Sequence, residues 1–543
     1  MTSSRLVPLV ALGMAAAAVP ASLAPPGRHS VAVGRGGSVG TVGFGNASGP
    51  GGRSGAGGRS GARPPWASGR SAGSAGGQAA AARTRRPNIV FVLADDLDGA
   101  DMGRFPNLSR LAREGLTFQN FIVSDSWCCP SRATILRSQY VHSHDVRSNN
   151  PPDGGYERFR VKGEERETLG TWMQRAGYRT SLVGKYLNGY PGTERQGLVP
   201  PGWDDWHVPM PRHMYQQEDF RLVENGRANA YRRGHLDDVL TDKGASFIRT
   251  SPRDKPFFLY LAPIAPHLPA AFAPRHASAF PDAKVPRPPS FDRPGSGPQP
   301  RWLRQRGPLD EAAIRRDDRI YRDRLRSMLS VDDMVGTLDR TLRETGHQDD
   351  TYLFFTSDNG FHLGQHRLWP GKTTPYEEDI RVPALVRGPG IRPGTSTSAL
   401  AGTVDLAPTF TELAGSAMPS CAEGRSLAPI LKGGHPADWR KALLVEFYAG
   451  RPLDHPEGPD CDTLPTHVKS CPLPPSYAAL RTDRETYVEY ATGERQLFDL
   501  AGDPYELRNE VAEAPPEHVR RLSSWLARFR ACRAVTCTYV DGG

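Results

Sequence analysis

From Asn88 to Ala94 the chain reads Asn-Ile-Val-Phe-Val-Leu-Ala, seven residues without polar alternation, and then breaks at Asp95-Asp96. A strand apolar on both faces must be buried on both, which is the condition of an inner strand of a parallel sheet covered by helices. Three later runs repeat the form. Thr180–Val183 leads to Gly184-Lys185, Phe257–Ala262 leads through Pro263 and Pro266 to His267, and Thr351–Thr356 leads to Ser357-Asp358-Asn359. Each run delivers a polar group at its carboxyl end, and the carboxyl edge of an open α/β sheet is where ligands bind. Singly, Lys185 reads as a surface lysine and His267 as a loop histidine; the repetition predicts that they converge.

Parallel strands need crossovers, and the spacing supplies them. Thr168–Ala176 places Leu169, Trp172 and Met173 on one helical face and stops at Gly177, while residues 320–345 repeat apolar positions at helical spacing up to Gly346. The Pro- and Arg-rich stretch 274–308 fits neither period and predicts an irregular surface loop near the site. Val382–Arg387 reads as a strand and Leu406–Leu413 as a helix. From about Ala442 the pattern changes to short alternating runs, at Ala478–Leu480, Thr486–Tyr490 and Arg495–Leu500, followed by an amphipathic helix near Pro516–Phe529. The expected fold is α/β: a doubly wound, mixed or mostly parallel sheet over 87–440, with a smaller C-terminal antiparallel sheet plus helix over 441–543.

The formal charge of +9 does not imply a nucleic-acid partner, because of where it sits. Residues 1–86 hold ten arginines and no acid, so the 68 basic residues less those ten leave 58 against 59 acidic ones. The folded part is close to neutral, and no nucleic acid is expected to bind it. Within the basic front, Arg5, the apolar run Leu6–Val19 and the small residues Ser22 and Ala24 predict a cleaved secretory signal over 1–24. Residues 25–86, rich in Gly, Ser, Ala and Arg, lack the apolar side chains a core requires and predict a disordered linker. No apolar run reaches the roughly 20 residues that span a bilayer, so a secreted protein without a membrane span is expected. The seven cysteines suit an oxidising compartment: Cys461/Cys471 and Cys532/Cys537 are spaced to close short loops, while Cys129 and Cys421 either pair or stay as thiols.

Two features carry chemistry. Asp95-Asp96 at the end of a buried strand repel one another unless a cation holds them, which points to a divalent, oxygen-liganded ion; an Asx turn capping the next helix is the simpler alternative. Ser126-Trp127-Cys128-Cys129-Pro130-Ser131-Arg132 sets a thiol and a fixed cation four residues apart, and a thiol there is a filler, a disulfide half, a metal ligand or a nucleophile.

Cys128-Cys129-Pro130-Ser131-Arg132 resembles the Cys-x-Pro-Ser-Arg signature of the type I sulfatases, in which the cysteine is oxidised to formylglycine. The likeness runs from about Pro87 to Asn509, with the motifs in the family's order. It implies an alkaline-phosphatase-like fold. It also implies one calcium ion held by Asp95, Asp96, Asp358 and Asn359 with an oxygen of modified Cys128, a set of hard donors as calcium prefers. Arg132 is similar to the arginine that orients the formylglycine hydrate, Lys185 and Lys372 to sulfate-binding lysines, and His267 to the histidine near the leaving oxygen. The implied reaction is attack on sulfur by one hydrate hydroxyl and release of sulfate by collapse of the other, with His267 or Lys372 as general acid. Gly184-Lys185-Tyr186-Leu187-Asn188-Gly189 has Leu187 where many sulfatases have histidine. In this it is similar to N-acetylglucosamine-6-sulfatases and the extracellular 6-O-endosulfatases, and it leaves His142 or His144 to take part of that work. The expectation is a secreted sulfuric ester hydrolase acting on glycosaminoglycan sugars, as 6-O-sulfates of glucosamine type, or on aryl sulfates, matured by a formylglycine-generating enzyme. A phosphomonoester or phosphonate hydrolase of the same superfamily and a non-catalytic binder of sulfated glycans are the alternatives.

Overall fold

The computed structural model describes residues 86–99, 101–191, 198–211, 214–449 and 473–543. The expected signal, nearly all of the linker and the Cys461/Cys471 pair lie outside the described residues. The described residues belong to one compact unit.

Its centre is a ten-stranded sheet in the order Thr395–Thr397, Leu116–Phe118, Ala384–Arg387, Thr351–Ser357, Asn88–Ala94, Phe257–Ala262, Arg179–Gly184, Asp205–Pro209, Phe220–Glu224 and Arg227–Tyr231. The four strands legible as buried runs are the four contiguous inner ones, and they are mutually parallel. Their carboxyl ends therefore share one edge, which brings Asp95, Lys185, His267 and Asp358 together. Along Asn88–Ala94 alternate residues enter two cores: Ile89, Phe91 and Leu93 on one side, Val90, Val92 and Ala94 on the other. All are fully buried, and this is the physical reason the run has no polar alternation.

Helices cover both faces. Leu169–Arg175 begins at Thr168, whose hydroxyl oxygen accepts from Thr171 N while Thr171 Oγ1 accepts from Thr168 N, and the turn after it uses Gly177 at φ 84°. The long helix spans Glu311–Glu344, starting well before residue 320, with Asp310 accepting from Ala313 N at 2.7 Å. Its first turns carry Arg and Asp on every side, so hydrophobic periodicity could not show them. The strand at 384–387 runs antiparallel to its neighbour Thr351–Ser357, a direction that pattern alone does not encode. The stretch 274–308 is irregular apart from short helical turns at Pro274–His276 and Arg301–Arg304.

The C-terminal sheet is antiparallel throughout, in the order Ala442–Phe447, Tyr477–Thr482, Glu485–Tyr490, Arg495–Asp499, and the helix Pro516–Ala531 buries Leu522, Leu526 and Phe529 in the core shared with Phe91. Cys532 and Cys537 are joined, whereas Cys128, Cys129 and Cys421 are thiols. Among the described residues no helix is long and apolar enough to cross a membrane.

Candidate active site

Cys128 is the first residue of the helix Cys128–Arg137, entered from Trp127 in extended conformation. The helix is anchored by Ser131 Oγ, which donates to the Asp358 carbonyl at 2.5 Å, and by Cys129 N, which donates to Asn149 Oδ1 at 2.9 Å. Cys128 Sγ then lies 3.6 Å from Asp95 Oδ1, 3.7 Å from Asp96 Oδ1 and 2.9 Å from Lys372 Nζ. Burial pushes its thiol well above the ordinary range, with Lys185 and Lys372 opposing only in part. Cys129 packs in the core, its thiol pushed up to about 12 by burial. The helix ends at Ser138 in the left-handed region, φ 54°, where helices commonly place glycine.

Three cations offset three carboxylates. Lys185 Nζ meets Asp95 Oδ2 at 2.6 Å, Lys372 Nζ meets Asp96 Oδ1 at 2.5 Å, and Arg132 Nε meets Asp358 Oδ2 at 2.7 Å. Arg132 also donates to the Lys185 carbonyl at 2.8 Å, and its Nη2 lies 3.5 Å from Asp95 Oδ1. Burial opposes the charge on Asp95, yet Lys185, His267 and Arg132 outweigh it and hold the carboxyl far below the carboxylate range. Asp96 is lowered against burial in the same way, by Lys372 and His267. His267 Nε2 lies 3.6 Å from Asp96 Oδ2, and its Nδ1 is 2.6 Å from the Leu268 carbonyl. A carbonyl only accepts, so Nδ1 carries a hydrogen and Nε2 is the atom turned to the cluster. With its side chain 14% exposed, His267 stands at the accessible side of an otherwise buried centre.

The donor set fits a hard divalent ion. Asp96 Oδ2 and Asn359 Oδ1 are buried without a hydrogen-bond partner, although Asp96 Oδ1 accepts from Asn359 Nδ2 at 2.7 Å. Orphaned buried oxygens among carboxylates are what a bound cation satisfies. Ligand atoms of Asp95, Asp96, Cys128 and His267 fall within 4.8 Å of one another. Asp358 is engaged at both carboxylate oxygens: its Oδ1 accepts from Asp96 N and Asn359 N and its Oδ2 from Arg132.

The residues matched by the Sulfatase family model are 87–416, which include every group just described. The chain belongs to the sulfatase family. It is a sulfuric ester hydrolase, similar over most of its length to the N-acetylglucosamine-6-sulfatase of Capra hircus, at 34% identity over 494 residues covering 86% of this chain and 87% of that protein. A solved structure of a protein in complex with its substrate D-glucosamine-2-N,6-O-disulfate superposes with a TM-score of 0.70 at 25% identity, over 82% of this chain and 98% of that one. The phosphonate monoester hydrolase of Silicibacter pomeroyi shares the fold, with a TM-score of 0.62 at 24% identity over 82% and 95% of the two chains.

One expectation for this sulfatase site is corrected. His142 does not join the cluster: its Nδ1 is 2.7 Å from Glu446 Oε2 and its Nε2 is 3.0 Å from the Cys532 carbonyl. With an acceptor at each nitrogen the ring is tied to the C-terminal sheet, and Glu446 raises its pKa against burial. His144 is fully buried, bonded to Thr134 Oγ1 and accepting from Val146 N, with its pKa pushed down to about 3 by burial. Leu187 is packed in the core. Two residues escaped sequence reasoning. Arg324, one arginine among many in the long helix, donates to the Asp96 carbonyl at 2.6 Å and to the Pro266 carbonyl at 3.2 Å, tying together the turns that carry Asp96 and His267. Tyr215 stacks on His267 with ring centroids 4.3 Å apart, and Lys185 Nζ lies 5.3 Å from the centre of the same ring. No local signal marks Tyr215, because its neighbours are set by strand order.

Proposed function

We propose that this sulfatase removes 6-O-sulfate from glucosamine-type sugars of glycosaminoglycans, with Cys128 converted to formylglycine by a formylglycine-generating enzyme and one calcium ion held by Asp95, Asp96, Asp358, Asn359 and modified residue 128. The substrate class rests on the likeness to N-acetylglucosamine-6-sulfatase over 86% of the chain. The site reading rests on Cys128 lying against Asp95, Asp96 and Lys372.

As a formylglycine hydrate, residue 128 would supply one hydroxyl to attack sulfur with displacement of the alcohol, and a second whose deprotonation would expel sulfate and restore the aldehyde, so no other side-chain nucleophile would be needed. Calcium bound there supplies charge that polarises the reacting oxygens. Arg132, locked between Asp358 and Asp95, orients residue 128. Lys185 and Lys372 hold the sulfuryl oxygens, and the cations lower the repulsion an ester anion meets. His267, at the open side with Nε2 turned inward, is the acid that protonates the leaving oxygen. Residues 87–440 form the catalytic domain and 441–543 its C-terminal α+β subdomain. The Cys532–Cys537 disulfide fits secretion after cleavage near Ala24.

The test has two parts. In protein from its native host, the tryptic peptide Glu114–Arg132 carries the mass of formylglycine at position 128; an unmodified thiol would overturn the mechanism. Turnover of glucosamine 6-sulfate exceeds that of glucosamine 6-phosphate; the reverse preference identifies a phosphoester hydrolase, and binding without turnover a glycan binder.

A further inference from the structure

Tyr215 belongs to a short turn, Met214–Gln216, between the strands Asp205–Pro209 and Phe220–Glu224, far in sequence from His267. One buried carboxylate sets the two against each other. Asp237 Oδ2 accepts from Gln217 Nε2 at 2.8 Å, and Asp237 N donates back to Gln217 Oε1 at 3.1 Å, which fixes the turn carrying Tyr215. Asp237 Oδ1 accepts from Ile264 N at 3.1 Å, which fixes the loop carrying His267. Asp237 is fully buried. Above this clamp the Tyr215 and His267 rings stack with an interplanar angle of 23°, and the Tyr215 face is also turned to the Lys185 ammonium. His267 is thus constrained from two directions: the Leu268 carbonyl holds Nδ1, and the tyrosine ring holds the plane.

We infer that Tyr215 is a positioning residue, whose ring holds the His267 imidazole in the orientation from which the Nε2 proton reaches the leaving oxygen as the sulfur–oxygen bond breaks. The inference rests on His267 acting as the acid in the function proposed above. The contribution comes from the ring and not from the hydroxyl. Since a misplacement of about 1 Å can cost on the order of a hundredfold, and general acids contribute about 10²- to 10⁴-fold, losing the stack is a kinetic effect. It depends on the leaving group: an alkoxide leaving from a sugar needs the proton, whereas a nitrophenolate scarcely does.

The experiment uses the full-length, modified, calcium-loaded enzyme and compares glucosamine 6-sulfate with 4-nitrophenyl sulfate for Tyr215→Phe, Tyr215→Leu and His267→Ala. Tyr215→Phe stays within about threefold of the parent on both esters, and Tyr215→Leu loses on the order of 30-fold in kcat on the sugar ester but less than about fivefold on the aryl ester, with KM little changed. His267→Ala shows the same split, enlarged. Equal losses of Tyr215→Leu on both esters, or a Phe variant as impaired as the Leu variant, would overturn the inference. Absence of the split in His267→Ala would instead overturn the acid role of His267 on which it rests. Should Tyr215→Leu fail to fold, Gln217→Leu frees the turn from Asp237: the same split in smaller measure supports the inference, and a uniform loss refutes it.

Discussion

Replacing Arg132 with methionine removes one cation from a centre where it faces two buried carboxylates. Arg132 is 1% exposed, with Nε 2.7 Å from Asp358 Oδ2 and Nη2 3.5 Å from Asp95 Oδ1. At an effective dielectric of about 20 those separations correspond to attractions of about 6 and about 5 kcal/mol. Most of that is offset in the parent by the desolvation of the guanidinium, but Met returns none of it to the carboxylates, which stay buried. Removing one partner of such a pair costs roughly 3–5 kcal/mol. The Lys185 carbonyl loses its guanidinium donor as well. At about 2 cal/mol/K per residue, a folded part of roughly 450 residues loses about one degree of Tm per kcal/mol, so Arg132→Met melts about 3–5 °C below the parent. Differential scanning calorimetry of both proteins, purified without added calcium, checks the figure, and sulfatase activity should fall with it because residue 128 loses its orienting partner. Calcium, placed among the same carboxylates, restores part of the lost charge and so raises the Tm of the variant more than that of the parent. A variant that melts within a degree of the parent, or that gains nothing extra from calcium, would refute the account of Arg132 as the counter-charge of Asp358 and Asp95.

Arg481 reaches from the C-terminal sheet to Glu377, with Nε 2.6 Å from Oε1 and Nη2 3.2 Å from Oε2. Because Arg381 also meets Glu377, Arg481→Met costs about 2–3 kcal/mol, less than the loss of a sole partner, and Glu377→Gln in the same chain recovers about half; chemical denaturation of the two variants measures both. Glu378 has its carboxyl raised to about 7 by burial, with Asp379 adding to it. The proton is therefore held more tightly in the folded than in the unfolded chain, so this stabilisation is complete below about pH 4.5 and lost as pH rises through about 7. Glu378→Gln flattens the fall in unfolding free energy between pH 5 and 8, by at most about 3 kcal/mol, as read by denaturant unfolding at each pH. His142→Gln leaves kcat/KM on an aryl sulfate unchanged while lowering stability by about 1–3 kcal/mol at pH 6, since Glu446, 1% exposed, loses the donor at 2.7 Å; a large fall in kcat would return His142 to the site.

How far the sequence reaches depends on whether a group is placed by its own strand or by its neighbours. Asp95, Lys185, His267 and Asp358 each follow a run whose continuous apolarity forces it into the interior, so burial of the runs alone predicts that their carboxyl ends meet, and the strands prove contiguous and parallel. The peripheral strands Asp205–Pro209, Phe220–Glu224 and Arg227–Tyr231 have no such pressure: Arg227–Tyr231 is almost wholly exposed, and its residues carry no period that a reader could use. Tyr215 sits among these strands and was accordingly invisible, as was Arg324, whose helix turns one face to the core and gives no sign of which arginine bends toward Asp96. His142 failed for the converse reason. Its closeness in sequence to Cys128 suggested closeness in space, but the helix Cys128–Arg137 carries the chain away from the sheet edge, and Glu446 from a strand some three hundred residues on decides where the imidazole lies. Proximity along the chain is thus a poor guide once a helix intervenes, whereas a shared sheet edge is a good one. The same distinction orders the cluster: the carboxyl ends of the buried runs were legible as neighbours, whereas Arg324 and Tyr215, which contact the Asp96 and His267 turns, come from elements whose own patterns do not point there.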